Sequence, residues 1–85
     1  MVENTVRDQE TGLQFTINLN DHNPPHAHVY RNRELVARIE IETLKFMRPV
    51  PGNPQIRRRV RQALARCQAE LTKLWQEIHG ENYRR

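Results

Sequence analysis

Between Leu13 and Leu19 apolar residues alternate with polar ones: Leu13, Phe15, Ile17 and Leu19 against Gln14, Thr16 and Asn18. A period of two is that of a strand with one face buried, and it predicts a strand over 13–20. The pattern returns over 34–42, where Leu35, Ala37, Ile39 and Ile41 are the inward set and Glu34, Arg38, Glu40 and Glu42 the outward set. Between these two, His26 to Arg31 contains Val29 and Tyr30 and follows a proline pair, so it reads as extended over 26–31. Asn32-Arg33 fits a short hairpin turn. Shorter strands are expected at 5–8 and 44–47, with a turn at Gln9–Gly12 in which Gly12 can take a positive φ.

After the Pro49-Val50-Pro51-Gly52 linker the period changes. Ile56, Val60, Ala63, Leu64, Cys67, Leu71, Leu74, Trp75 and Ile78 fall within an arc of about 120° at helical spacing, the stripe of a helix docked on a sheet. Asn53 can cap this helix, Pro54 suits its first turn and Gly80 is a natural stop, which predicts a helix over 54–79 and a frayed tail over 81–85. Strands followed by a helix give an α+β fold: a small antiparallel sheet of three to five strands with one long C-terminal helix on one face.

A chain of 85 residues is expected to form a single domain with a thin stability margin, which a permanent partner or a homodimer would supplement. The single cysteine, Cys67, excludes an internal disulfide and suits a reducing compartment. No apolar run approaches the roughly 20 residues of a membrane span, and the Met-Val-Glu-Asn start lacks the basic flank and apolar core of a signal peptide, so a cytoplasmic location is expected. The net charge of +4 is uneven: six basic and seven acidic side chains up to Arg48, then eight basic and three acidic from Pro49 onward. Such a concentrated basic surface favours a polyanion or an acidic partner, although it also serves solubility.

The densest chemistry lies in Asp21-His22-Asn23-Pro24-Pro25-His26-Ala27-His28, where three of the four histidines fall within seven residues. On a strand His26 and His28 share a face with Tyr30, and Pro24-Pro25 fixes their relation to His22. Three readings stay open. His22, His26 and His28 can ligate a transition metal such as zinc, with Glu40 or Glu42 on the neighbouring strand as a further ligand. The histidines can act as general base and general acid on a phosphodiester with no cofactor. They can also simply hydrogen-bond a turn. Arg57, Arg58, Arg59 and Arg61 crowd the helix start, the unfavourable end of the macrodipole for cations, and would suit phosphate or carboxylate. Tyr30 is the better candidate for base stacking, whereas Trp75 reads as core. No Walker loop, dinucleotide fingerprint, serine elbow or paired CxxC is present.

The string Asp21-His22-Asn23-Pro24-Pro25-His26-Ala27-His28-Val29 resembles the hallmark of a bacterial family known as domain of unknown function 4160. The likeness includes Gly12, the alternating strand after it, Ile39-Glu40-Ile41-Glu42, and the helix ending in Leu74-Trp75-Gln76-Glu77-Ile78-His79. The run Arg57-Arg58-Arg59 and the loop 49–54 are not features of that likeness. The resemblance implies a small cytosolic protein, encoded beside another small domain, with some members regarded as toxins of two-gene toxin–antitoxin modules. The leading expectation is therefore a toxin held by a cognate small antitoxin and acting on RNA through the histidine stretch. The alternatives are a non-catalytic basic module binding RNA or DNA, and a metal-binding structural domain.

Overall fold

The computed structural model describes residues 4–83, with side chains as far as Gly80. Four strands, β1 (Thr5–Arg7), β2 (Gln14–Thr16), β3 (His26–Arg31) and β4 (Glu34–Glu40), precede one helix, α1 (Pro54–Tyr83). The strands form one antiparallel sheet in chain order. This is the expected α+β arrangement, an antiparallel sheet carrying a long C-terminal helix. Among the described residues no helix is long and apolar enough to cross a membrane.

Residues opposite one another in an antiparallel sheet share a face. Val6, Phe15, Val29 and Ala37 therefore form one inward row across all four strands, followed by Ala27 and Ile39. The helix supplies Val60, Ala63, Leu64, Cys67, Leu71, Leu74 and Trp75 to the same core, and Ile56 and Ile78 pack on its margin. Burial pushes the Cys67 thiol pKa up, as an apolar setting disfavours the thiolate. Asn53 caps α1 as the sequence predicts: its Oδ1 accepts from Gln55 N at 2.8 Å and Ile56 N at 3.3 Å.

Several features differ from expectation, among them the ends of β1 at Arg7 and of β4 at Glu40 in place of 8 and 42. The 13–20 strand ends at Thr16, because the next backbone groups turn elsewhere. Ile17 N still donates to Asn4 O in register with β1, but Asn18 N donates to the Asp21 carboxylate at 2.8 Å, which leaves Leu19 76% exposed. In β4 a bulge opposite the Val29–Tyr30 step places Val29 against Ala37 and Tyr30 against Leu35. The extra residue, Val36, shifts the alternation, so Val36 packs on the core and Leu35 lies outside, 53% exposed. The 44–47 strand is reduced to one bridge, Ile39 to Phe46, because Leu44 at φ 59° breaks the extended run. Finally, α1 passes through Gly80, which does not take the positive φ of a helix-ending cap, and runs on to Tyr83. The expected tail is thus helical over 81–83, and its last two residues lie outside the described residues.

Candidate metal centre and its cleft

The turn after β2 and the first residues of β3 build the site. Asp21 N donates to Asn18 O at 3.1 Å while Asn18 N donates to Asp21 Oδ2, closing a tight loop that fixes the carboxylate. The other carboxylate oxygen, Oδ1, is free to face β3. His28 Nε2 donates to it at 3.1 Å, and His26 Nε2 lies 3.5 Å from the same atom. The imidazole of His26 is itself oriented: its Nδ1 donates to the Pro24 carbonyl at 2.8 Å. A carbonyl only accepts, so in the neutral ring the proton sits on Nδ1 and the lone pair on Nε2, aimed at Asp21 and His28. Asp21, His26 and His28 each offer one ligand atom, and these three atoms lie within 4.8 Å of one another.

That geometry separates two kinds of chemistry. Ligands about 2.1 Å from a tetrahedral metal lie about 3.4 Å apart. The separations from Asp21 Oδ1 are 3.1 and 3.5 Å, close to that edge. An acid–base pair that cleaves a phosphodiester must instead flank the phosphorus. Here the two ring nitrogens both face one carboxylate oxygen, Asp21 Oδ1. A backbone acceptor behind a ligating histidine is also the usual device for setting its tautomer and orientation. A cation taking the central position would displace the proton that His28 now shares with Asp21.

The cluster is sheltered but not closed: the side chains of Asp21, His26 and His28 are 10, 8 and 16% exposed. Asp21 also forms part of the wall of an open cleft of about 510 Å³ lined by Leu19, Asn20, His22, Asn23, Trp75 and His79. Helix α1 reaches this end through Trp75, whose ring lies 5.8 Å from that of His26 and 4.3 Å from that of His79. His79 Nε2 donates to Asn18 O at 3.1 Å, pinning the last turns of the helix to the loop that carries Asp21. The buried Trp75 Nε1 has no hydrogen-bond partner among the described residues.

The structure does not bring every candidate together. His22 is exposed on the cleft and is not one of the converging ligands. Glu40 is paired with His26 along the backbone, but its Oε1 accepts from Thr43 Oγ1 at 2.7 Å. Glu42 borders a second hollow with Pro25 and Trp75. Tyr30 lies on the His26 and His28 face of β3. The arginines occupy the opposite pole. Arg57 Nη1 donates to Pro51 O at 2.6 Å, and Arg61 Nε donates to Leu44 O at 3.1 Å while its guanidinium covers Phe46. Both therefore tie the 44–51 loop to the helix, whereas Arg58 and Arg59 are exposed. Eighteen helical steps separate Arg57 from Trp75, about 27 Å along the axis, so these arginines and the histidines cannot hold one phosphate.

Two members of this site escape sequence reasoning: Asp21 as the third ligand and His79 as the anchor of the loop. Asp21 stands inside the motif and is a standard oxygen ligand, so its position beside the histidines was a usable signal. His79 meets Asn18 across 61 residues, and nothing local announces that contact.

A family model matches residues 12–76, which span β2, β3, β4, the whole ligand cluster and Trp75. The chain belongs to the family described as domain of unknown function DUF4160. No curated protein and no solved structure matches it. The match to DUF4160 covers Asp21, His26 and His28, whereas β1 and His79 fall beyond its ends.

Proposed function

We propose that this chain is the toxin component of a two-gene toxin–antitoxin pair. Asp21, His26 and His28 form its reaction centre, a site for one transition-metal ion such as zinc, acting on RNA. The toxin reading is supported by the D-H-N-P-P-H-x-H motif and its likeness to family members regarded as toxins. The observation that carries the metal reading is the convergence of two imidazole nitrogens and one carboxylate oxygen within 4.8 Å of one another, with both nitrogens close to a tetrahedral edge from that oxygen. Three protein ligands would leave room for water or substrate on a bound metal, the pattern of a catalytic rather than a closed structural site. The cleft beside Asp21 gives a substrate access to that position.

The reaction class that fits is phosphodiester hydrolysis. A metal held by Asp21, His26 and His28 would supply a water acidic enough to attack phosphorus near neutral pH. In such a hydrolysis the bond from phosphorus to the leaving ribose oxygen breaks, and that oxygen takes up a proton. That His22 lines the cleft and lies outside the ligand set supports a role for it at the substrate.

Elemental analysis of the purified protein, paired with growth assays with and without the neighbouring gene, tests both parts. The expected result is about one equivalent of a transition metal, lost in His26→Ala, and growth arrest that the neighbour relieves and His26→Ala abolishes. A protein without stoichiometric metal sinks the metal centre. An alanine variant as toxic as the parent sinks the histidine site altogether.

A further inference from the structure

We infer that the uncovered face of the sheet is a track for single-stranded RNA leading to the ligand cluster, an inference that rests on RNA being the substrate of that cluster. Helix α1 covers the Val6, Phe15, Val29 and Ala37 row, so the alternate residues of each strand face away from it. One outward row is Arg7, Gln14, Tyr30 and Leu35, and the next is Thr5, Thr16, His28 and Arg38. His28 is thus both a member of the track and of the cluster, and His26, buried against Trp75 of α1, follows it at the end of the strand.

The bulge in β4 is the feature that gives this face a binding character. By turning Leu35 outward it sets a 53% exposed leucine directly beside Tyr30. Together they make an apolar and aromatic ledge on a face otherwise lined by hydroxyl, amide and guanidinium groups. Such a ledge suits the flat side of an unstacked nucleobase. Thr5 Oγ1 and Thr16 Oγ1, 3.0 Å apart, and the exposed Gln14 amide offer uncharged hydrogen-bonding groups to ribose and base edges. Arg7 at the far edge supplies a cation for the backbone. Tyr30 and His28 are two residues apart on β3, about 7 Å, so a base resting on the ledge places the neighbouring linkage over the cluster. Duplex RNA has its bases stacked inside and cannot use the ledge.

Fluorescence anisotropy with a short labelled oligoribonucleotide tests this on the full chain, in chelator so that no cleavage occurs. Single-stranded RNA is expected to bind about tenfold more tightly than the same strand annealed to its complement. Tyr30→Ala is expected to weaken binding about tenfold and Leu35→Ser about threefold, while Tyr30→Phe, which keeps the ring, stays within about twofold. Circular dichroism melts of each variant separate lost binding from lost folding. Equal affinity for the duplex, indifference to both Tyr30→Ala and Leu35→Ser, or no binding of single-stranded RNA overturns the track. So does a result in which Tyr30→Ala disrupts capture of the neighbouring gene product and leaves RNA affinity unchanged, because the face then belongs to that protein. Metal content and growth arrest are read separately: a track that fails while both persist leaves the metal centre standing. RNA binding by a chain that holds no metal removes the centre and keeps the track.

Discussion

Asp8 is the most heavily committed single residue outside the ligand cluster. It is 3% exposed, and its carboxylate accepts from Arg66 Nε and Nη2, both at 2.9 Å, and from the Thr11 N–H at 3.0 Å. The hydrogen-bonded Arg66 guanidinium, aided by Thr11, holds the Asp8 carboxyl far below the usual carboxylate range against the opposing effect of burial. Because the folded form resists protonation, the unfolded chain takes up the proton first. The stability this gives is present at neutral pH, above the ordinary aspartate value, and is lost as pH falls through that value toward the folded one. Arg66 is 37% exposed and also meets Glu10, so part of the attraction is screened by solvent. Asp8→Asn is expected to cost about 2 kcal/mol at neutral pH, less than the loss of a partner from a fully buried pair. Urea unfolding at neutral pH and near pH 3 checks it: the gap between parent and variant should narrow in acid. A gap that is constant with pH means that packing, not charge, is the contribution of Asp8.

At the scale of elements, the β3–β4 hairpin concentrates most of the local irregularity. Its two-residue turn places Asn32 at φ 50° and Arg33 at φ 69°, the left-handed pair that a tight hairpin demands. Asparagine tolerates that region, but arginine has a Cβ that crowds the backbone there. Arg33→Gly creates the Asn-Gly turn favoured in such hairpins. It is expected to stabilise the fold by about 1 kcal/mol, read as a higher urea midpoint with an unchanged slope. No gain would mean that the left-handed arginine is relieved by contacts of its own. This hairpin also shows what the sequence discloses. Asn32-Arg33 is a visible turn, and Phe15, Ile17, Ile39 and Ile41 announce their burial by alternation. Leu35 does not, because one extra residue in β4 reverses the parity of everything before it, and parity is all that a period-two pattern carries. Leu19 misleads for a related reason: the alternation continues past the point where Asp21 captures the Asn18 N–H and bends the chain. The helix stripe was fully legible, since its period persists over many turns. Contacts such as His79 with Asn18 or Arg66 with Asp8 join distant segments and leave no periodic trace.

Across the whole molecule, charge and ligands are segregated along the helix. The ligand cluster, Trp75 and His79 mark one pole. The other holds exposed Arg58 and Arg59, with Arg59 and Arg31 on either side of a narrow apolar crevice formed with Leu13, Val36, Ile56 and Val60. The basic surplus therefore lies apart from the Asp21, His26 and His28 cluster. On the proposed reading it would act on RNA only by holding a stretch of backbone remote from the bond being cut, or not at all. These alternatives differ in salt dependence, because each phosphate neutralised on a single strand adds about 0.7 to the slope of log affinity against log salt. If the strand on the sheet continues toward the basic pole, Arg58→Gln combined with Arg59→Gln lowers that slope by about 1.4 and weakens binding most at low salt, without altering metal content. If the two arginines only solvate the helix start, the slope is unchanged and the double variant is slightly more stable, since two cations have been removed from the positive end of the macrodipole. A salt titration of RNA binding, run beside a urea melt of the same variant, separates the outcomes. A lower slope with unchanged stability assigns the pole to RNA, and an unchanged slope with a small stability gain assigns it to solvent.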